Sequence, residues 1–187
     1  MKWANYIIAG YFIGMYLPVN AQQENLFEGS TFYLVRHAEK DTGNNPPLKK
    51  IGYCRAGDLY RVLKNKKISK IYVSQYRCTE LTADSLRIYS KVNVIKYKAD
   101  EKGDDLFYNM GLQSRREKAI LIVGHSNTIP AIIRRFGVKD FNLVEIPDHE
   151  YDNLYIVKVG RYTASLKVIK YGKASAPGSK EMMKPLQ

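Results

Sequence analysis

The sequence has few of the residues that bind metals or cross-link small proteins. Its 187 residues include only two cysteines and three histidines, and these do not form the closely spaced pairs that hold structural zinc. We therefore expect no disulfide scaffold, no metal site and no cofactor. We find no internal repeat, which argues against a solenoid. A content of 45% hydrophobic and 26% charged residues is ordinary for a globular domain and excludes wholesale disorder.

Acidic residues are also scarce. The sequence contains 18 aspartates and glutamates and 30 lysines and arginines, which gives a formal net charge of +12. Such an excess favours anionic partners such as phosphorylated small molecules, nucleic acids or acidic membranes. Fifteen tyrosines could stack on nucleic-acid bases, but no nucleic-acid-binding motif accompanies them. We therefore expect no nucleic-acid partner, and the charge alone does not choose among the other anionic partners.

The amino-terminal apolar segment is too short to span a membrane. Lys2 precedes an apolar run from Tyr6 to Val19, whereas a membrane-spanning helix needs about 20 residues. Small or apolar residues up to Ala21 are typical of a signal-peptidase site. We interpret residues 1–21 as a signal peptide, with an uncleaved anchor as the alternative, and predict an exported protein (periplasmic or secreted) without stable membrane insertion.

The rest of the chain is predicted to be one α/β domain over residues 22–175, followed by a flexible basic tail over 176–187; the oligomeric state is not predicted. Short apolar runs alternate with amphipathic segments, which is typical of a three-layer α/β/α sandwich with a mainly parallel central sheet. The last two strands are expected to form a hairpin around Gly160. The predicted strands are Thr31–Val35, Lys70–Val73, Val92–Ile95, Ala119–Val123, Asn153–Val159 and Ser165–Tyr171, and the predicted helices are Gly52–Asn65, Thr79–Tyr89, Gly103–Arg116 and Asn127–Phe136.

Two histidines directly follow predicted strands. His37 comes after the first strand, next to Arg36, and His125 follows Gly124 after a later one. Carboxyl ends of parallel strands meet at one edge of the sheet, where open α/β folds bind ligands. The sequence therefore predicts that both imidazoles contribute to one site.

Four motifs together resemble the histidine phosphatase superfamily, whose fold is phosphoglycerate mutase-like. The resemblance extends from about Thr31 to Val159. The motifs, in chain order, are Leu34-Val35-Arg36-His37-Ala38-Glu39, Leu48-x-x-x-Gly52-x-x-x-Ala56, Ser74 through Thr82-Ala83, and Val123-Gly124-His125-Ser126.

This resemblance implies metal-independent hydrolysis of a phosphomonoester or phosphoanhydride through a phosphohistidine. His37 would be the nucleophile, and Arg36 and His125 would hold the phosphoryl oxygens. Backbone amides from Ser126 onward, at the start of a helix, would add positive partial charge. The acid that protonates the leaving group would be Asp100 or Glu101, with Asp104 and Asp105 as the competing carboxylates.

The sequence departs from the resemblance at one site position. The superfamily usually places a second phosphate-binding arginine where this chain has Cys78, and a cysteine offers no positive charge. Three interpretations stay open: neighbouring Arg77 substitutes for it, the enzyme works with a weakened clamp, or the chain is an inactive phosphate-ligand-binding protein. In an oxidising compartment, Cys78 could also pair with Cys54.

Overall fold

A computed structural model describes residues 26–112 and 118–175. The predicted signal peptide, the predicted tail and the end of the helix predicted to reach Arg116 lie outside this range. No helix in the described part of the chain is long and apolar enough to cross a membrane.

Six strands in the described residues form one sheet in the order β3-β2-β4-β1-β5-β6. The strands are β1 (Thr31–Arg36), β2 (Lys70–Ser74), β3 (Val94–Tyr97), β4 (Ala119–Gly124), β5 (Asn153–Val159) and β6 (Ala164–Lys170). The first four run parallel to one another, and β5 and β6 add an antiparallel hairpin beside β1. The predicted hairpin is confirmed, and Gly160 donates its N–H to the carbonyl of Thr163 across the turn at 2.8 Å.

Helices cover both faces of the sheet because successive strand residues point to opposite sides. The helices are α1 (Lys50–Leu63), α2 (Arg77–Ser90), α3 (Asp104–Gly111) and α4 (Thr128–Arg135). One apolar core joins α3 and α4 to Phe32, Leu34 and Ile122, and a second joins α1 and α2 to Val35 and Val123. The predicted three-layer sandwich with a mainly parallel sheet is therefore confirmed.

One strand begins later than predicted. The predicted start at Val92 is wrong by two residues, because helix α2 continues to Ser90 and ends with Lys91 in the left-handed conformation (φ 52°). The N–H of Val92 still bonds to the carbonyl of Arg87. Strand pairing can begin only after this helix end, at Val94.

The cysteines do not form a disulfide. Both thiols are free, with Cys54 exposed on α1 and Cys78 buried on α2. The bond that an oxidising compartment would permit is therefore not present in this structure.

Candidate active site

The two histidines lie next to each other at the carboxyl edge of the sheet. Strands β1 and β4 are adjacent and parallel, with Arg36 paired to Gly124 at their ends. The following residues, His37 and His125, therefore emerge side by side, and their ring centroids are 5.4 Å apart. The sequence-based expectation placed both imidazoles in one site, and the structure brings them together there.

His37 is buried, with 4% of its surface exposed, and is held by main-chain carbonyls of two other residues. The backbone N–H of His37 donates to the carbonyl of Gly124 at 2.9 Å, and the ring nitrogen Nδ1 lies 2.9 Å from the carbonyl oxygen of Ala38. A carbonyl oxygen can only accept, so Nδ1 carries the ring proton and Nε2 presents a lone pair. Burial, together with the positive charges of Arg36 and Lys40, lowers the pKa of His37 to about 4. The imidazole is therefore neutral at pH 7.

His125 is held by a chain of hydroxyl groups at the end of β2. Its Nε2 lies 2.8 Å from Oγ of Ser74, which in turn lies 3.0 Å from Oγ1 of Thr79. Burial and the neighbouring cations lower the pKa of His125 to about 4 as well. The site thus contains two neutral imidazoles, and the Ser74–Thr79 pair fixes the orientation of the second.

Arg36 reaches the site, but a distant loop occupies most of its donors. Nη1 donates to the carbonyls of Pro147 and Asp148 at 2.9 and 3.0 Å, and the guanidinium carbon lies 4.3 Å from the ring centre of Tyr151. We call residues 147–151 the arginine loop. Nε of Arg36 is buried and has no hydrogen-bond partner, so the arginine loop does not use this donor.

Cys78, and not Arg77, faces the site. A pocket of about 290 Å³ opens beside His125, and the loop after β1 and the start of α2 line it with Lys40, Gly43, Asn45, Pro46, Tyr76 and Cys78. Arg77 is exposed on α2, and its backbone N–H donates to Oδ1 of Asn45. Burial raises the pKa of the Cys78 thiol, so the group stays protonated at pH 7.

Lys40 is the pocket cation that sequence reasoning missed. It lies three residues after His37 and lines the pocket near Cys78. An isolated bridge between Lys40 and Leu48 closes the loop after β1 over this region. The only signal in the sequence is a basic residue close to the predicted nucleophile.

The structure does not bring Asp100 and Glu101 to the pocket. The Asp100 carboxylate accepts backbone N–H groups of Lys102, Asp104 and Asp105 at the start of α3. Partial burial raises the pKa of Asp100, but these hydrogen bonds lower it more, so the pKa lies below its usual value. Glu101 is exposed. Asp100 therefore stabilises a helix end in this structure.

The Ser126 hydroxyl bonds to a residue outside the pocket lining. Its hydroxyl donates to Oε1 of Glu145 at 2.7 Å, and its carbonyl accepts the N–H of Ile146 at 3.0 Å. The start of α4 is stabilised by Thr128, whose Oγ1 accepts the N–H of His125. The Ser126 side chain thus anchors the segment that precedes the arginine loop.

The remaining motif residues hold the His37 loop against the helices. Thr82 of α2 accepts the N–H of Ala38 at its Oγ1 at 2.8 Å. Arg55 of α1, with 2% of its surface exposed, binds both carboxylate oxygens of Glu39. At Gly52, a Cβ atom would lie 2.2 Å from the carbonyl oxygen of Glu39, so only glycine permits this approach of α1 to the loop.

One group of side chains in the described residues could hold a metal ion beside the pocket. A ring nitrogen of His37, Sγ of Cys78 and a ring nitrogen of His125 all lie within 4.8 Å of one another. The motifs already place these three residues at one site, but their separation along the chain does not match the spacing of known metal-binding motifs.

The sheet order and the helices on both faces match a phosphoglycerate mutase-like α/β fold. Neither a family profile nor a curated protein sequence matches this chain. Among solved structures, it is similar to a protein assigned as the phosphohistidine phosphatase SixA from Agrobacterium tumefaciens, with 15% identity, a TM-score of 0.56, and coverage of 78% of this chain and 99% of that one.

Two further phosphatase structures share the fold. A mycobacterial glucosyl-3-phosphoglycerate phosphatase is 13% identical with a TM-score of 0.57, over 79% of this chain and 100% of that one. A protein assigned as an alpha-ribazole-5'-phosphate phosphatase from Escherichia coli is 14% identical with a TM-score of 0.60, over 80% of this chain and 99% of that one. The resemblance predicted from the motifs is thus confirmed at the level of the fold.

Proposed function

We propose that this protein is a phosphatase that works without a metal ion and forms a phosphohistidine at Nε2 of His37. The observation that carries the proposal is the state of that ring. It is neutral, its Nδ1 proton is bound by the Ala38 carbonyl, and its Nε2 lone pair is free to attack phosphorus. An imidazole in this state is a nucleophile without help from a base. The structural neighbours are named as phosphatases, which supports the same reading.

Positive groups around His37 suit a transferred phosphoryl group. Charge in the transition state lies on its three equatorial oxygens, which fixed donors stabilise. Arg36, which directly precedes His37, and Lys40, which lines the pocket, supply positive charge, and the neutral ring of His125 lies beside that of His37. The pocket of about 290 Å³ fits a small phosphorylated substrate, either a phosphomonoester or a phosphoanhydride.

The pocket favours substrates with acidic leaving groups. None of its described lining residues is a carboxylate, and an alkoxide leaves poorly unless an acid protonates it. We therefore expect kcat/KM to rise steeply as the pKa of the leaving group falls, in a series from alkyl phosphates to aryl phosphates with increasingly acidic phenols. A shallow dependence would show that a general acid reaches the leaving oxygen.

The decisive experiment tests turnover and the intermediate together. The full-length protein should hydrolyse p-nitrophenyl phosphate in EDTA and yield a labelled phosphoprotein that is stable in base and labile in acid. His37→Ala should abolish both. Lys66→Ala, which changes an exposed residue outside the pocket lining, is the control and should retain both. Turnover that survives in His37→Ala would contradict the proposal.

A second candidate is a phosphate-ligand-binding protein without turnover. The observation that favours it is Cys78, which lies in the pocket where the resemblance leads us to expect an arginine. Calorimetric binding of inorganic phosphate, without hydrolysis and without a phosphoprotein, would identify this function. Under either function we propose an exported protein, which fractionation of cells that produce the full-length chain would test.

A further inference from the structure

We propose that His37, Cys78 and His125 form an inhibitory zinc site in the active-site pocket, with the fourth coordination position open to the solvent. One ring nitrogen of each histidine and Sγ of Cys78 lie within 4.8 Å of one another. His37 and Cys78 are each only 4% exposed, and Cys78 and His125 line the pocket, so the three ligands converge beside the pocket and not on an open surface.

The spacing of these three atoms is close to what tetrahedral zinc requires. Bonds of about 2.3 Å to sulfur and about 2.0 Å to nitrogen place neighbouring ligand atoms about 3.3 to 3.6 Å apart. Closing from at most 4.8 Å takes a shift of up to about 1.2 to 1.5 Å. Side-chain rotations of Cys78 and His125 can share this shift, and the rotation of His125 would lengthen its contact with Ser74.

The hydrogen bond of His37 already has the form found around bound metals. A metal-binding histidine usually donates its other ring N–H to a carbonyl or carboxylate, which fixes the ring and the protonated nitrogen. In this structure Nδ1 of His37 donates to Ala38, and Nε2 is left as the ligand atom. The ring needs no new tautomer to bind zinc.

The donor set selects a soft metal and depends on the cysteine. Two imidazoles and a thiolate suit zinc and not magnesium or calcium, which prefer oxygen ligands. The positive charges of Arg36 and Lys40 disfavour the binding of a cation nearby. Zinc binding releases the thiol proton of Cys78 as the Zn–S bond forms. The negative charge of the resulting thiolate then offsets part of the charge of the metal. An arginine at position 78 would have no lone pair to offer.

Zinc at this site would stop the reaction, an inference that rests on the proposed function. The metal takes the Nε2 lone pair of His37, which the phosphoryl group would otherwise receive. Zinc should therefore inhibit turnover reversibly, and EDTA should restore it.

Cobalt(II) tests the site without any need for activity. The metal-free full-length protein should bind one Co²⁺ and show a thiolate-to-cobalt charge-transfer band in the near ultraviolet, which Zn²⁺ then removes. Cys78→Ser should lose the band and weaken Zn²⁺ binding at least about 100-fold, the upper end of the loss seen for residues that merely support ligands. Cys54→Ser, which removes the exposed thiol, is the matched control and should keep both.

A second variant covers the case in which Cys78→Ser does not fold. His125→Asn keeps the thiol but removes a ligand, so Zn²⁺ binding should weaken while free-thiol titration is unchanged. No charge-transfer band in the wild-type protein, or a band that disappears in Cys54→Ser and survives in Cys78→Ser, would overturn the site. A band without His37-dependent turnover would leave the site standing and reject the proposed function. If the protein shows His37-dependent turnover that zinc does not inhibit, and no charge-transfer band, the proposed function stands and the zinc site is rejected.

Discussion

Replacing Cys78 with arginine should increase phosphatase activity. The position lines the same pocket as Lys40 and His125, where a guanidinium could reach the phosphoryl oxygens. A hydrogen bond to a charged group contributes about 1.5–3 kcal/mol, and about 1.4 kcal/mol corresponds to a tenfold change in rate. We therefore expect Cys78→Arg to raise kcat/KM about 10- to 100-fold.

The same change should cost some stability. Cys78 is 4% exposed and packs with Ala38, Leu48 and Leu81, so a longer side chain must displace part of this cluster. Overpacking of this kind costs about 1–3 kcal/mol. The expected variant is therefore faster and less stable than the wild-type protein.

The assay is hydrolysis of p-nitrophenyl phosphate in EDTA, with thermal unfolding measured in parallel. Cys78→Met adds length without charge and should give no gain in rate. Arg77→Met should change the rate less than about twofold, because Arg77 is exposed. A folded Cys78→Arg protein with an unchanged or lower rate, together with a large loss in Arg77→Met, would show that Arg77 is the second phosphate-binding arginine and refute the reasoning.

Three further predictions concern pH, packing and charge. Because burial holds the pKa of His37 at about 4 against about 6.5 in an unfolded chain, the unfolded state takes up protons first as the pH falls. The free energy of unfolding should therefore drop between about pH 6.5 and pH 4, and His37 should account for about 3 kcal/mol of the drop. Urea titrations should show a smaller drop in His37→Asn. A free energy of unfolding that does not change with pH would contradict the lowered pKa of His37. Gly52→Ala should lower the free energy of unfolding by about 2 kcal/mol or more, because its Cβ would lie 2.2 Å from a backbone oxygen. Gly57→Ala, in the same helix with its nearest atom at 3.5 Å, should raise it by about 0.5–1 kcal/mol, and equal effects in thermal melts would refute the packing argument. Lys40→Met should weaken binding of inorganic phosphate about tenfold in calorimetry, whereas Lys66→Met, at an exposed position, should not; equal losses would indicate a general charge effect.

The sequence predicted the fold well because each element carries its own local pattern. The apolar runs of β1 and β4 are buried on both faces, as central parallel strands must be. Their ends then place His37 and His125 together without further information. The three-layer arrangement and the pairing of the histidines could both be predicted for this reason.

The rest of the site depends on contacts between distant parts of the chain. Lys40 reaches the pocket only because the loop after β1 closes back on Leu48, and no local pattern indicates this. The partners of Arg36 lie more than 100 residues away in the arginine loop. Asp100 shows a different limit, since a carboxylate that stabilises a helix end and one that transfers a proton look the same in a sequence.

The hydrogen bonds between the arginine loop and Arg36 limit which changes in the sequence of the loop are tolerated. The guanidinium binds main-chain oxygens of Pro147 and Asp148, and every residue type supplies such an oxygen. The side chains of Pro147 and Asp148 can therefore change during evolution while these hydrogen bonds persist, whereas Tyr151 contacts the guanidinium through its ring. A deletion in the loop would move the carbonyl oxygens themselves and would break these hydrogen bonds. The length of the loop should therefore be preserved among relatives even where its amino acids differ.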